Sequence, residues 1–585
     1  MKKNIFSSIA VAGLALLTFG SCADSDYTDK YQNPATTTNA TVPDAFTAVL
    51  YKGNTWMNPM YYRFYCQQST SGVFSGIFGN SNSNGRFKGA GEARYNDRWK
   101  SFYDMLTQYR LVVKTYEALD ESQKPNNEVF VYLSRVLVDA QLHEMLSLYG
   151  SVPFNGAGSL WENSDYAGAK TKCVYDKDTD LYKQILADLK EAADYFANGG
   201  PNSTAQTSLK NKDYTSANGN VMNWRKYINF LRLRIGLHLA TNGDLTAEGR
   251  ATIKEVVENQ DKYPCIDYND ENMGVSASTA NDDFNFGKSI SQALHSASGP
   301  SQTYLDVMNV PANGVPDENT DPRISVLLDP NPDNEYIAFD LTKSSTDISN
   351  ISSAKLKEYA NREPKITNAN YYCKLDSTAY AGIAEYNGNT NTFGLWIGAA
   401  EVYLMKAEAY LMGYGVAKNE VLAKQYFIEG VKFSIEYYWD VKEKSSLYDA
   451  TNPSDSYYSK RALNRPDNII ETTEYAEKQW TGTQECVAKQ LWLNFSWTNL
   501  LEAWNVTRRT GYPTVEFAED GITTSYPTPP SRLPYPSDEL NYNSANCQDA
   551  ISKYYDGGTN DGVAGYYTKL FWAKDKVYYK IIAKQ

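Results

Sequence analysis

Two stretches of this 585-residue chain set flat aromatic rings among planar polar groups. In residues 66–96, Phe74, Phe78 and Phe87 are interleaved with Asn80, Asn82 and Asn84 in a run rich in Gly and Ser. In residues 265–300, Tyr268 precedes the cluster Asn281, Asp282, Asp283, Phe284 and Phe286. Trp56, Tyr61 and Tyr62 stand near one expected helix, and Trp396 beside Phe393 near another. A ring face covers C–H-rich surface, and Asn and Asp exchange hydrogen bonds with hydroxyls or backbone amides. That combination holds a sugar chain or a peptide without breaking a bond. Trp56, Phe74, Phe78, Asn80, Asn82, Phe87, Asp283, Phe284, Phe286 and Trp396 are therefore the candidate ligand contacts, each with a second reading as loop packing.

Other chemistries find less support. Glycoside hydrolysis needs two carboxylates set about 5–5.5 or 6.5–9.5 Å apart across a bond. With 69 Asp and Glu such pairs are unavoidable and do not discriminate. A secreted glycoside hydrolase stays as a competing reading, without the alternating β/α pattern of a barrel enzyme. Beyond Cys22, the cysteines Cys66, Cys173, Cys265, Cys373, Cys486 and Cys547 lie 61 to 113 residues apart, which fits neither a zinc site nor a small disulfide scaffold. Three histidines without an H-x-x-x-H spacing argue against a histidine metal centre. The run Asp556–Gly562 has the oxygen groups and Gly turns of a calcium loop, but Tyr567 stands where the helix-loop-helix pattern puts its bidentate Glu. A solvated turn is the other reading of that run. The expectation is no catalytic residue, no resident metal and no cofactor. The net charge of −13, with no Lys/Arg cluster, excludes a general nucleic-acid binder.

The elements that must position these residues are helical. Apolar residues recur at three- and four-residue spacing from Asn127 to Tyr149, from Asp180 to Phe196 and from Trp224 to Ala240. Gly150 with Pro153, and Gly199-Gly200, end the first two. From Trp396 to Trp439, two helices around Gly413-Tyr414-Gly415 set small residues between large ones, as a tetratricopeptide-type hairpin does. A further helix is expected over 484–509, with Trp497 and Trp504 on one face in the core. Segments 66–96, 265–300, 310–395, 440–480 and 510–565 lack helical period and read as ordered loops on that scaffold. The fold class expected is mostly α, with helical hairpins carrying a long-loop ligand face.

The amino terminus sets the compartment. Met1-Lys2-Lys3, an apolar run from Ile9 to Phe19 and Gly20-Ser21-Cys22 resemble a bacterial lipoprotein signal. That resemblance implies cleavage before Cys22 and lipidation of it. Ala23-Asp24-Ser25-Asp26-Tyr27 resembles the surface-export signal of Bacteroidota lipoproteins. The organisation expected is a signal peptide over 1–21, lipidated Cys22 with a tether to 45, and one domain over 46–585.

An ordered set of motifs then resembles the SusD/RagB family of Bacteroidota outer-membrane nutrient-binding lipoproteins. It comprises Leu148-Tyr149-Gly150-Ser151-Val152-Pro153, with Ser151 where the family has Asp, then Asp321-Pro322-Arg323 and the Ala400–Ala409 helix. Glu502-Ala503-Trp504, Arg508–Pro513, Arg532–Pro536 and Phe571-Trp572 complete it. The resemblance implies a SusD-like fold and a surface lipoprotein without enzymatic activity. Such a protein binds oligosaccharides and delivers them to a SusC-like TonB-dependent transporter in the outer membrane, with oligopeptides as the alternative ligand. Glu401, Glu408, Arg508 and Arg509 are expected to make ion pairs or caps between helices rather than ligand contacts.

Overall fold

The computed structural model describes residues 40–57, 66–80, 87, 92–158, 173–276, 298–366, 370–376, 379, 391, 393–446, 469–496, 498–518, 527–554, 567–575 and 577–582. Val42–Gln585 form one compact unit, and Met1–Thr41, of which only the last two residues are described, form another. Cys22 and Asp556–Gly562 lie outside the described residues.

The scaffold is a series of packed helices. Helices α1 (Val42–Met57), α2 (Glu92–Glu117) and α3 (Glu128–Tyr149) pack on one another, followed by α4 (Asp178–Ala197), α5 (Val221–Ala240) and α6 (Thr246–Glu258). Short α7 (Gln302–Val307) precedes the hairpin of α8 (Ala399–Met412) and α9 (Glu420–Glu443), and α10 (Gln484–Asn494) and α11 (Leu500–Thr510) close the set. The helices expected over 127–149, 180–196 and 224–240 and the hairpin expected over 396–439 are present, within about four residues of their expected ends. Their interior is one continuous hydrophobic core. The helical unit begins before the expected boundary at 46, because α1 starts at Val42 and buries Val42 and Ala45.

Capping explains several boundaries. Asn220, Asn419 and Asn499 precede α5, α9 and α11, and each accepts a hydrogen bond from the first turn, at 2.8, 3.0 and 3.3 Å. Gly150 and Gly511 end α3 and α11 at φ of 78° and 80°, a conformation that glycine adopts without penalty. The α8–α9 hairpin closes at Gly430, where an added Cβ would lie 2.8 Å from the Leu404 side chain.

Some expectations fail for physical reasons. The single helix expected over 484–509 is two, because the break carries its own polar satisfaction. Tyr304 donates to Ser496 Oγ at 2.9 Å, and Asn499 caps α11. Trp504 is buried as expected, whereas Trp497 lies outside the described residues. Four presumed loop segments also contain helix: Ser345–Ala360, Ile469–Gln479, Ser544–Tyr554 and the short Ser71–Phe74. The first is rich in Ser and Asn, which hid its period, yet Ser344 caps it by accepting from Asp347 N at 3.1 Å.

Strands are few and short, and six of them bear on the site: β1 (Phe78–Asn80), β2 (Met273–Ser276), β3 (Ser298–Pro300), β4 (Phe393–Ile397), β5 (Val515–Ala518) and β6 (Tyr579–Ile582). Strand β1 pairs antiparallel with β3, β2 antiparallel with β4, and β5 parallel with β6.

Candidate functional site

Two of these ribbons fix where the candidate loops attach. In the β1–β3 ribbon Asn80 lies opposite Ser298, and in the β2–β4 ribbon Ser276 lies opposite Phe393. The segment 277–297 joins β2 to β3, so it departs beside Phe393 and returns beside Asn80. The segment that follows Asn80 departs from the same ribbon end. Asn82, Asp283, Phe284 and Phe286 are thus carried by segments anchored at the open ends of two ribbons. Those four residues lie outside the described ones, as do the side chains of Trp56 in α1 and Asn80 in β1.

The other four candidates are core residues. Phe74, Phe78 and Phe87 are fully buried, and Trp396 is 6% exposed. Phe74 sits in the short helix Ser71–Phe74, with its ring 5.3 Å from that of Trp504. Phe87 meets Phe517 edge-on at 5.0 Å, and the Phe78 ring lies against Gly72. Trp396 packs against Tyr227 at 5.7 Å and lines a cavity of about 20 Å³ with Arg234, Asn269, Asn272 and Tyr437. That space suits one water molecule. In this structure these four rings present no free face to a ligand. Their interleaving with Asn and Gly resembled a binding loop, but burial of the rings determines the path of the backbone instead.

The charged motifs assemble a buried centre rather than a ligand site. Arg234 donates from Nε and Nη2 to Glu401 at 2.7 Å each. Arg509 donates from Nη1 and Nη2 to Glu408 at 2.5 and 2.7 Å. His143 Nε2 lies 3.2 Å from Glu502 Oε1, and the Tyr182 hydroxyl lies within 3.4 Å of both His143 and His238. Planar guanidinium–carboxylate pairing satisfies charge across packed helices, and α5, α8, α10 and α11 meet here. A cavity of about 20 Å³ lies among Arg234, His238, Glu401, Glu502, Asn505 and Arg509.

Titration follows from this burial. Burial alone would raise Glu502, but the His143 hydrogen bond and the nearby positive charges hold its carboxyl well below the ordinary range. Burial, then the neighbouring His143, pushes His238 well below the ordinary histidine value. Asp321 and Arg323 form a second fully buried pair; Arg323 also donates to Ser434 and Gln490 at 2.8 and 2.7 Å, and Tyr475 donates to Asp321 at 2.7 Å. Arg532, also buried, donates to the Leu533 carbonyl at 3.0 Å. These motifs hold the scaffold together, as expected for Glu401, Glu408 and Arg509. Arg508 packs its guanidinium 3.6 Å above the Trp504 ring and donates to Asn505 at 2.6 Å.

A feature that sequence reasoning missed is an open cleft of about 510 Å³ at the Pro300 end of the β1–β3 ribbon, opposite to Asn80 and Ser298. It is lined from α7, the 340–342 segment, α10, the approach to β5, and β6. Its polar residues are scattered between Gln302 and Lys580, and only Glu485 and Lys489 have a local spacing to notice. Among the described residues no group of His, Cys, Asp and Glu is placed to hold a metal ion, and no helix is long and apolar enough to cross a membrane.

Comparison with known proteins places this architecture. The sequence model described as SusD-like, SusD and RagB outer membrane lipoprotein, matches residues 27–573. No curated protein sequence matches. Similar solved structures include a chitin-binding protein, with 19% identity, TM-score 0.64, and coverage of 90% of this chain and 99% of that one. A SusD homologue from Bacteroides thetaiotaomicron has 17% identity, TM-score 0.61, and coverage of 91% and 99%. A chitin-binding SusD homologue from Flavobacterium johnsoniae has 16% identity, TM-score 0.62, and coverage of 92% and 99%. At these identities the likeness establishes the fold.

Proposed function

The chain belongs to the SusD-like family of outer membrane lipoproteins, and from that premise we propose that it captures oligosaccharides at the cell surface and delivers them to a SusC-like TonB-dependent transporter. The observation that carries this reading is the family match over residues 27–573, on a fold shared with two chitin-binding proteins. The ligand face in this reading is the set of segments rooted at the open ends of the β1–β3 and β2–β4 ribbons, including Asn82, Asp283, Phe284 and Phe286. Trp56 and Asn80 flank it as further candidates. The protein holds its cargo without cleaving it. Cys22 carries the lipid that keeps the chain at the outer membrane, with the residues between Cys22 and α1 as tether.

Calorimetry of the purified chain against soluble chitin, starch and xylan oligosaccharides, with an oligopeptide panel beside them, tests the ligand class. Saturable heat with at least one glycan and none with peptides is the expected result; the reverse makes the protein a peptide carrier. New reducing ends after incubation would make it a hydrolase. Asp283→Ala with Phe284→Ala is expected to weaken glycan binding at least tenfold. Cys22→Ala is expected to release the protein from the membrane fraction, and continued retention would overturn the lipid anchor.

A further inference from the structure

The cleft of about 510 Å³ lies at the opposite end of the β1–β3 ribbon from the proposed ligand face, and its size falls in the range of ligand pockets. Its walls come from separate elements. Thr303 and Asp306 stand on α7, Glu485 and Lys489 on α10, Thr514 and Glu516 at the start of β5, and Lys580 on β6. Gln302, Asp340 and Thr342 complete the polar lining, and Val307, Leu341 and Pro513 are its apolar members.

Four carboxylates face two ammonium groups there. Glu485 pairs with Lys489 at 2.8 Å and Glu516 with Lys580 at 3.4 Å, leaving Asp306 and Asp340 without a cation from the lining. Asp306 accepts from Gln302 at 2.9 Å, and Asp340 accepts from Thr342 and from Lys343 outside the cleft. Among the described residues, the hydroxyls of Thr303 and Thr514 engage no protein partner. The lining therefore offers carboxylate acceptors, ammonium donors and hydroxyls that do both. No aromatic ring lines it, so a ligand is not held by stacking.

We propose that this cleft is a second saccharide site, which takes a short sugar without negative charge through its hydroxyls alone. The proposal rests on the glycan reading of the chain and adds a place and a selectivity to it. Sugar hydroxyls donate to Asp306 and Glu516 and accept from Lys489, Lys580 and the two free threonines. With Asp340 matched by Lys343, the one carboxylate in excess, Asp306, disfavours uronates and sulfated sugars. A divalent cation is a poorer occupant, because no metal-holding group of carboxylates forms here among the described residues.

Equilibrium dialysis of the full chain, in a detergent without a sugar headgroup, tests the proposal with N,N′-diacetylchitobiose, maltose, cellobiose and digalacturonate. The expected result is binding of at least one neutral disaccharide at a site that Asp306→Asn with Thr514→Val weakens at least tenfold. Asp283→Ala with Phe284→Ala, at the other end of the ribbon, is expected to leave that site unchanged. Lys580→Ala is an independent variant, exposed enough to spare the fold, and a melting temperature within a degree of the parent chain confirms that each variant is folded. If the cleft variants bind every disaccharide as the parent does, the cleft is not a sugar site, and the surface-capture reading stands on its own. Digalacturonate binding as tightly as the neutral sugars also overturns the proposal. If neither these disaccharides nor the longer glycans bind at all, the parent reading falls and the cleft proposal with it.

Discussion

The buried centre between the hairpins and the open cleft are made from the same side chains, Arg or Lys against Asp or Glu, and they differ in access to water. In the centre, Arg509 and Glu408 are 4% and 0% exposed; at the cleft, Lys489 and Glu485 are 37% and 43% exposed. Burial raises the cost of an unmatched charge, so the centre is satisfied by bidentate geometry and joins helices distant in sequence. Water screens the cleft pairs, so they contribute little to folding and can exchange partners with a ligand. One arrangement of charge holds the structure together and the other leaves it free to bind.

The strongest way to break this contrast is at Glu408. Glu408→Ala leaves the Arg509 charge buried without a carboxylate, with only the Thr241 hydroxyl still accepting from it, and we expect a loss of about 3–5 kcal/mol in urea unfolding. Replacing both, as Glu408→Leu with Arg509→Met, is expected to lose less than the single change, because no unpaired charge remains. If Glu408→Ala costs under about 1 kcal/mol, the centre is no more structural than the cleft.

The centre also depends on helix spacing. Gly430 brings α9 against Leu404 of α8, and a methyl group there meets side chain and backbone. Gly430→Ala is expected to cost about 1–3 kcal/mol through overpacking. A stability equal to the parent chain would show that the hairpin can widen without strain.

Titration sharpens the contrast further. His238 in the folded chain titrates below the ordinary value of 6.5, owing first to burial and then to His143, so the fold keeps it neutral. Below about pH 6.5 the unfolded chain takes up a proton that the folded chain refuses, and stability falls with pH by up to about 1.4 kcal/mol per unit. Glu502, depressed in the fold, adds its own loss only below its ordinary value of 4.5. Between pH 6.5 and 4.5, His238→Gln is therefore expected to flatten the fall in urea midpoint relative to the parent chain. Parallel pH profiles would refute this assignment.

The two regions also differ in how far the sequence reveals them. The scaffold helices were legible because burial on one face imposes a three- to four-residue period, and Gly150 and Gly511 mark the ends of two of them. The ion pairs were legible as a class for Glu401, Glu408 and Arg509, whereas Arg508, expected to pair or cap in the same way, stacks on Trp504 and donates to Asn505 instead. The partners in those pairs were not legible, because Arg234 and Glu401 are 167 residues apart and only the fold brings them together. Phe74, Phe78, Phe87 and Trp396 were read as ligand contacts from composition alone, and composition does not distinguish a ring facing a ligand from one that closes the core. The cleft was invisible for the opposite reason: its polar residues are unremarkable singly and meet only through five separate segments.

The smallest expected effect is the most telling for the cleft. Glu485 and Lys489 are one helical turn apart on α10, and the gain from their contact is offset by ordering two long side chains in water. Glu485→Ala is accordingly expected to shift stability by about 0.3–0.5 kcal/mol, and by less when salt screens the pair. Urea unfolding at low and at high salt measures both. A loss above about 2 kcal/mol would mean that this pair supports the fold as Glu408 does. The cleft would then be a strained part of the scaffold, and its charges would not be available to a ligand.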